Sequence, residues 1–199
     1  MKDQYNLLIA IFVILVGGLY RALVVPGADI ISANLTPLCA IALFAGAQIT
    51  GSLLKYLVPI LILFLSDVLL SLNPINIANS DLFYPGWFWV YGSIIICVYA
   101  SSAIIRKISM GRIILGAISV SVCHWWISDF GYFISGGINI LTGQSYPPNI
   151  NGLLECVVMG FPFFKKTLLS TIVFSLLFFY SYQALRHLVS NFKTKTESI

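Results

Sequence analysis

The chain has 199 residues, 59% of them hydrophobic, 14% aromatic and only 9% charged, with a net charge of +4. Soluble domains carry roughly 25% charged residues, so this composition excludes a soluble globular enzyme and predicts an all-α, polytopic membrane protein with one transmembrane domain over residues 1–199. The basic residues are spread over helix ends, a distribution that suits orientation in a bilayer with anionic lipid rather than binding of nucleic acid.

Residues 7–25 form the first predicted span, too long for a signal peptide and followed by no small-residue cleavage site. Gly18 and Ala22 have the small-xxx-small spacing that lets helices approach closely. Arg21, between them, reads either as an interfacial anchor that snorkels or as a pocket residue. After a polar-neutral loop, Thr36 as N-cap and Pro37 as first helical residue open a second span over residues 35–52. The third, over 54–72, carries Asp67 and stops at Asn73-Pro74. The following loop ends in Tyr84-Pro85-Gly86-Trp87, whose aromatics suit either an interfacial belt or contact with a ligand. Residues 87–105 make the fourth span, closed by Arg106 and Lys107.

The fifth span, 112–135, organises the rest. A membrane helix needs about 20 mostly apolar residues, and a charge near its centre costs about 2.5 to 3.5 kcal/mol, yet this one contains His124 and Asp129. Ser121, Trp125, Ser128, Asp129 and Tyr132 fall on one stripe at helical spacing with His124 at its edge, so the helix is expected to line a pocket. A Gly-rich loop with Tyr146-Pro147-Pro148 follows. The segment NGLLECVVMGFPFF is too short to span and reads as an interfacial or partly re-entrant helix before the sixth span, 167–189. Eight of the 11 basic residues share one side if both termini are cytoplasmic, against Arg21, Lys165 and Lys166 on the other. That arrangement places the chain as a multi-pass protein of the cell inner (cytoplasmic) membrane.

In this topology Arg21, Asp67 and Asp129 stand about 6 to 9 Å below the outer ends of the first, third and fifth helices. Charges at one depth in lipid are expected to converge inside the bundle, Arg21 pairing with one or both carboxylates. Such a cluster either fixes the helix arrangement or floors a binding site, and the neutral, aromatic-bearing loops on the same side favour a site. The four cysteines are scattered singly, and no C-x-x-C, H-E-x-x-H, G-x-S-x-G or Walker pattern occurs, so no metal site, cofactor or catalytic set is expected.

Leu19-Tyr20-Arg21, Asn34-Leu35-Thr36-Pro37, Ser66-Asp67 among leucines, and Tyr146-Pro147 through Gly160-Phe161-Pro162-Phe163-Phe164-Lys165-Lys166-Thr167-Leu168-Leu169 together resemble an uncharacterised family of bacterial transport proteins. That family is similar to the substrate-binding S components of energy-coupling factor (ECF) transporters, including solitary cobalamin-type members. The resemblance implies a six-helix S-component-like bundle with both ends cytoplasmic. It further implies uptake of a vitamin or related micronutrient, corrinoids included, through an outward-facing pocket capped by the first, third and fifth loops. Release would be inward, with or without a separate ECF energising module. A thiolate or imidazole for cobalt would have to come from His124 or a deeper Cys, because those loops hold neither.

The leading reading is therefore a small-molecule transport protein. Arg21, Asp67 and Asp129 form the polar floor, with Asn34 at the mouth, His124 at the edge, and Tyr84, Trp87, Trp125, Tyr132 and Tyr146 stacking on a planar or ring-containing solute. Two others stand beside it. One is a non-transporting membrane scaffold subunit; the other is an intramembrane enzyme using Asp67 and Asp129 as a proton-sharing pair, against which Arg21 would keep both ionised.

Overall fold

Six helices and no strand make up the described residues of the computed structural model, which are 2–24, 34–49, 51, 53–72, 82–83 and 86–196. They are α1 (Lys2–Val24), α2 (Leu38–Gln48), α3 (Leu54–Ser71), α4 (Trp87–Ile104), α5 (Met110–Ile134) and α6 (Ile150–Thr196). All but α2 are long and apolar enough to cross a membrane. On α1 the exposed side chains Leu8, Phe12, Leu15, Leu19 and Leu23 recur every three or four residues. That is one continuous helix face turned outward, favourable against lipid and costly in water.

Helix α2 is the centre of the bundle. It packs on every other helix, and each residue from Leu38 to Gly46 is buried. Its small side chains let neighbours close in: Gly46 lies against the Val98 carbonyl and Ser101 of α4, while Phe44 meets Phe178, Phe179 and Tyr182 edge-on. The facing pairs also give the helix directions. Gly18 faces Ile62 while Arg21 meets Ser66, so α1 and α3 run the same way. The pairs Ser93 with His124 and Cys97 with Val120 make α4 and α5 antiparallel. The C-terminal ends of α1, α3 and α5, where the connections to α2, α4 and α6 begin, therefore all lie at one end of the bundle.

Two sequence-based boundaries are corrected. The second predicted span shrinks to 11 helical residues with Pro37 itself as the N-cap and no side-chain cap from Thr36. At about 1.5 Å per residue that helix is about 16 Å long, roughly half of a hydrocarbon core about 30 Å thick. It ends because Ile49 turns extended, at φ −82° and ψ 114°. The interfacial helix and the sixth span are a single helix of 47 residues with Pro162 inside. Pro162 removes one N–H from the ladder, but α5 supplies a packing surface on both sides of it: Trp125 stacks on Phe164 at 4.6 Å and meets Phe161 at 5.9 Å. Continuous packing outweighs one missing bond.

The tight seat of Gly46 is testable. Gly46→Ala would push a methyl into Ser101 Oγ and the Val98 carbonyl and should lower stability by about 1 to 3 kcal/mol, seen as an earlier thermal midpoint in detergent. Gly92→Ala on α4 faces open space and should be neutral or mildly stabilising, since Ala outranks Gly in a helix.

Candidate functional site

The polar side chains collect around and beyond the start of α2. Gly17 lies against Ile41, and Arg21 comes one turn later on α1. Gly116 lies against Leu43, and His124 comes two turns later on α5. Counted along the helices at about 1.5 Å per residue, these groups sit level with or beyond the first turn of α2, on the side of the three connections.

Arg21 Nη1 pairs with Asp67 Oδ1 at 2.7 Å, the two side chains being 15% and 7% exposed. The same nitrogen donates to Ser66 Oγ, whose own proton goes to the Leu63 carbonyl. Tyr91 on α4 donates to Asp67 Oδ2 at 2.8 Å. Both carboxylate oxygens are thus engaged, from α1 and from α4. Trp87, one turn before Tyr91, packs edge-on against it at 5.5 Å and against Phe83 at 5.1 Å. Trp87 therefore reaches the ion pair through Tyr91.

His124 lies 2.6 Å from Ser93 Oγ through Nδ1. Because the Ser93 proton is directed at the Val90 carbonyl at 2.7 Å, the network assigns a proton to Nδ1, which in the neutral ring leaves Nε2 as acceptor. Of the remaining stripe, Ser128 folds back onto the His124 carbonyl at 2.7 Å and is satisfied locally.

Asp129 does not join Arg21. Among the described residues the one ion pair is Arg21–Asp67; Asp129 instead faces α6, its carboxylate filling the space left by the missing side chain of Gly160. The expectation of one shared depth assumed flush helix ends. Measured from the Gly116–Leu43 and Gly17–Ile41 contacts, Asp129 lies roughly 10 Å nearer the connections than Arg21 at about 1.5 Å per residue. Its Oδ2 is buried without a hydrogen-bond partner. Trp125 is near enough to interact with its carboxylate, but the indole N–H and the carboxylate miss hydrogen-bonding geometry: Trp125 Nε1 is likewise buried and unbonded, as is Ser121 Oγ on the same stripe.

The α5–α6 connection is a built structure. Tyr132 Oη donates to the Ile138 carbonyl at 3.1 Å and accepts from Ile138 N at 3.0 Å, so it pins the loop rather than presenting its hydroxyl to a solute. Asn139, 4% exposed, donates to Glu155 Oε1 at 2.5 Å. Tyr146 folds under the loop, where burial, then Cys156, Tyr132, Glu155 and Asp129 in turn, push its phenol up to about 12. It is a neutral donor at physiological pH. Asn34 stands at the entry to α2, its carbonyl 3.5 Å from Ser170 Oγ. Tyr84 lies outside the described residues.

Sequence reasoning missed Tyr91, Ser93, Glu155 and Gly160 as site residues. Tyr91 could have been found, since it is one helical turn from Trp87; the Ser93–His124 bond depends on the α4–α5 register, which no single-helix pattern carries. Among the described residues no group of His, Cys, Asp and Glu side chains is placed to hold a metal ion.

Fold and site together define a multi-pass, all-helical membrane protein with a buried polar belt at one end of its bundle. The chain belongs to the family of unknown function DUF6580, which covers residues 1–193. No curated protein and no solved structure matches it.

The ion pair predicts a definite pattern. Arg21→Met leaves Asp67 buried without its counter-charge and should cost about 3 to 5 kcal/mol, whereas Arg21→Met with Asp67→Leu should recover most of that loss. Thermal midpoints of the four proteins of this cycle would give a strong coupling; additive effects would dissolve the pair.

Proposed function

We propose that the chain is an integral membrane protein that binds and takes up a small organic solute, a vitamin or related micronutrient, in the manner of an ECF S component. The observation that carries this reading is the set of buried polar atoms without partners on one stripe of α5, namely Ser121 Oγ, Trp125 Nε1 and Asp129 Oδ2. Native interiors leave few such atoms, and each calls for a ligand, a water or a function. They stand beyond the end of a central helix too short to fill the bundle, and beside aromatic side chains suited to a ring.

In this reading both termini are cytoplasmic in the inner membrane, the polar end faces outward, and release is inward with or without an energising module. A corrinoid is the weaker choice of solute, because segments 26–34, 73–86 and 136–150 contain no Cys or His and cobalt would have to reach His124 Nε2 inside the bundle. The carboxylate-dyad enzyme loses its main support, since both oxygens of Asp67 are occupied by Arg21 and Tyr91. A purely structural role for the belt would leave the α5 stripe unexplained.

The test is to denature the purified protein and identify what is released by mass and absorbance, alongside a thermal-shift panel of vitamins of every charge. A bound solute or a saturable shift is expected, worth about 2.7 kcal/mol at 100 times Kd. Neither a released molecule nor a shift with any member would overturn the proposal.

A further inference from the structure

Of the two carboxyl groups in the described interior, one has a cationic partner and the other has none. Arg21 and Asp67 neutralise each other, and Tyr91 closes the remaining oxygen of Asp67. Asp129 has no such partner: Oδ2 is buried and unbonded, and its neighbour Cys156 directs its thiol at the Asp129 backbone carbonyl, 3.6 Å away, rather than at the carboxylate. The groups near it from α5, α6 and the connecting loop are Trp125, Cys156 and Tyr146, with Tyr132 and Glu155 next to Tyr146, none of them a cation. On α6 the nearest basic side chain past Gly160 is Lys165, whose ammonium lies over the Phe161 ring at 5.4 Å; neither it nor Lys166 pairs with Asp129. A carboxylate in such a place is costly until a positive group reaches it.

Resting on the transport reading, we infer that the solute supplies the missing charge: it is an organic cation, a protonated amine or an N-alkylated ring, whose positive group docks on the Oδ1 side of Asp129, Oδ2 being seated against Gly160, and whose flat body lies against the indole of Trp125. Phe164 stacks on the indole at 4.6 Å with 25° between their planes and fixes its orientation, and the opposite face of the indole suits both a ring and a cation. Gly160 is part of the device, because any side chain there would occupy the place of the carboxylate.

The probes are matched rings that differ in charge: N-methylnicotinamide cation, nicotinamide and nicotinate, and pyridoxamine, pyridoxine and pyridoxate. Binding to the full-length protein in nanodiscs is read by Trp fluorescence and thermal shift. The cation of a trio should bind at least tenfold tighter than its neutral partner, with the anion weakest. Asp129→Asn should remove that preference, the cation then binding no tighter than its neutral partner, and Asp129→Glu should retain part of it. The wild-type ranking stands as a test even if the variants fail to fold. Anions or neutral rings binding tighter than cations, or a cation preference that survives Asp129→Asn, overturn this inference and leave the transport reading intact. A protein that binds an anionic or neutral member of the vitamin panel and no cation also overturns it, whereas silence toward every compound overturns both.

Discussion

A central helix that covers only about 16 Å of a hydrocarbon layer about 30 Å thick sets the terms for everything packed around it. Backbone that is not helical is tolerated at membrane depth only where it is buried in protein or lines a cavity. The approach to α2 through Asn34 and Thr36 is of that kind: Thr36 offers its carbonyl to Ser170 Oγ of α6 at 2.9 Å, and Pro37 is buried. Below its first turn, α2 fills the bundle with Ile41, Leu43 and Phe44, all essentially without exposure. Beyond that turn the other helices no longer have it to pack against, and the side chains they turn inward become polar.

Two kinds of polar group occupy this region, and they differ in what completes them. The Arg21–Asp67 pair is closed on itself with Ser66 and Tyr91. A buried pair of this kind adds little net stability but makes loss of either member expensive, so it ties α1, α3 and α4 into one arrangement. The α5 stripe is open: its polar atoms are desolvated and have nothing to bond. Closed groups hold a structure, and open ones await a partner. The folded α5–α6 connection, pinned by Tyr132 and Asn139, bounds this stripe on its α5–α6 side.

Much of the fold was legible. The four spans now seen as α1, α3, α4 and α5 follow from apolar length, and the Arg21–Asp67 contact follows from the expense of two charges in lipid. What escaped depends on register. Grouping Asp129 with Arg21 assumes flush helix ends, whereas the Gly116–Leu43 contact raises α5 relative to α1. Ser93 carries no signal as a partner of His124 until α4 and α5 are laid side by side. Helix α2 stops at Ile49 within a run that still looks helical in hydropathy, and Pro162 looks like a terminator until Trp125, Phe161 and Phe164 are seen to pack around it.

The central claim is that the space beyond α2 opens toward the end of the bundle where α1, α3 and α5 finish. The direct measurement is labelling of single cysteines, introduced as Tyr91→Cys, Trp125→Cys and Ser101→Cys in a chain whose own cysteines are replaced, with a membrane-impermeant maleimide applied to intact cells. The account predicts that the thiols at 91 and 125 react while the one at 101, packed beside Gly46, does not. Labelling at none of them, or at 101 alone, would contradict it.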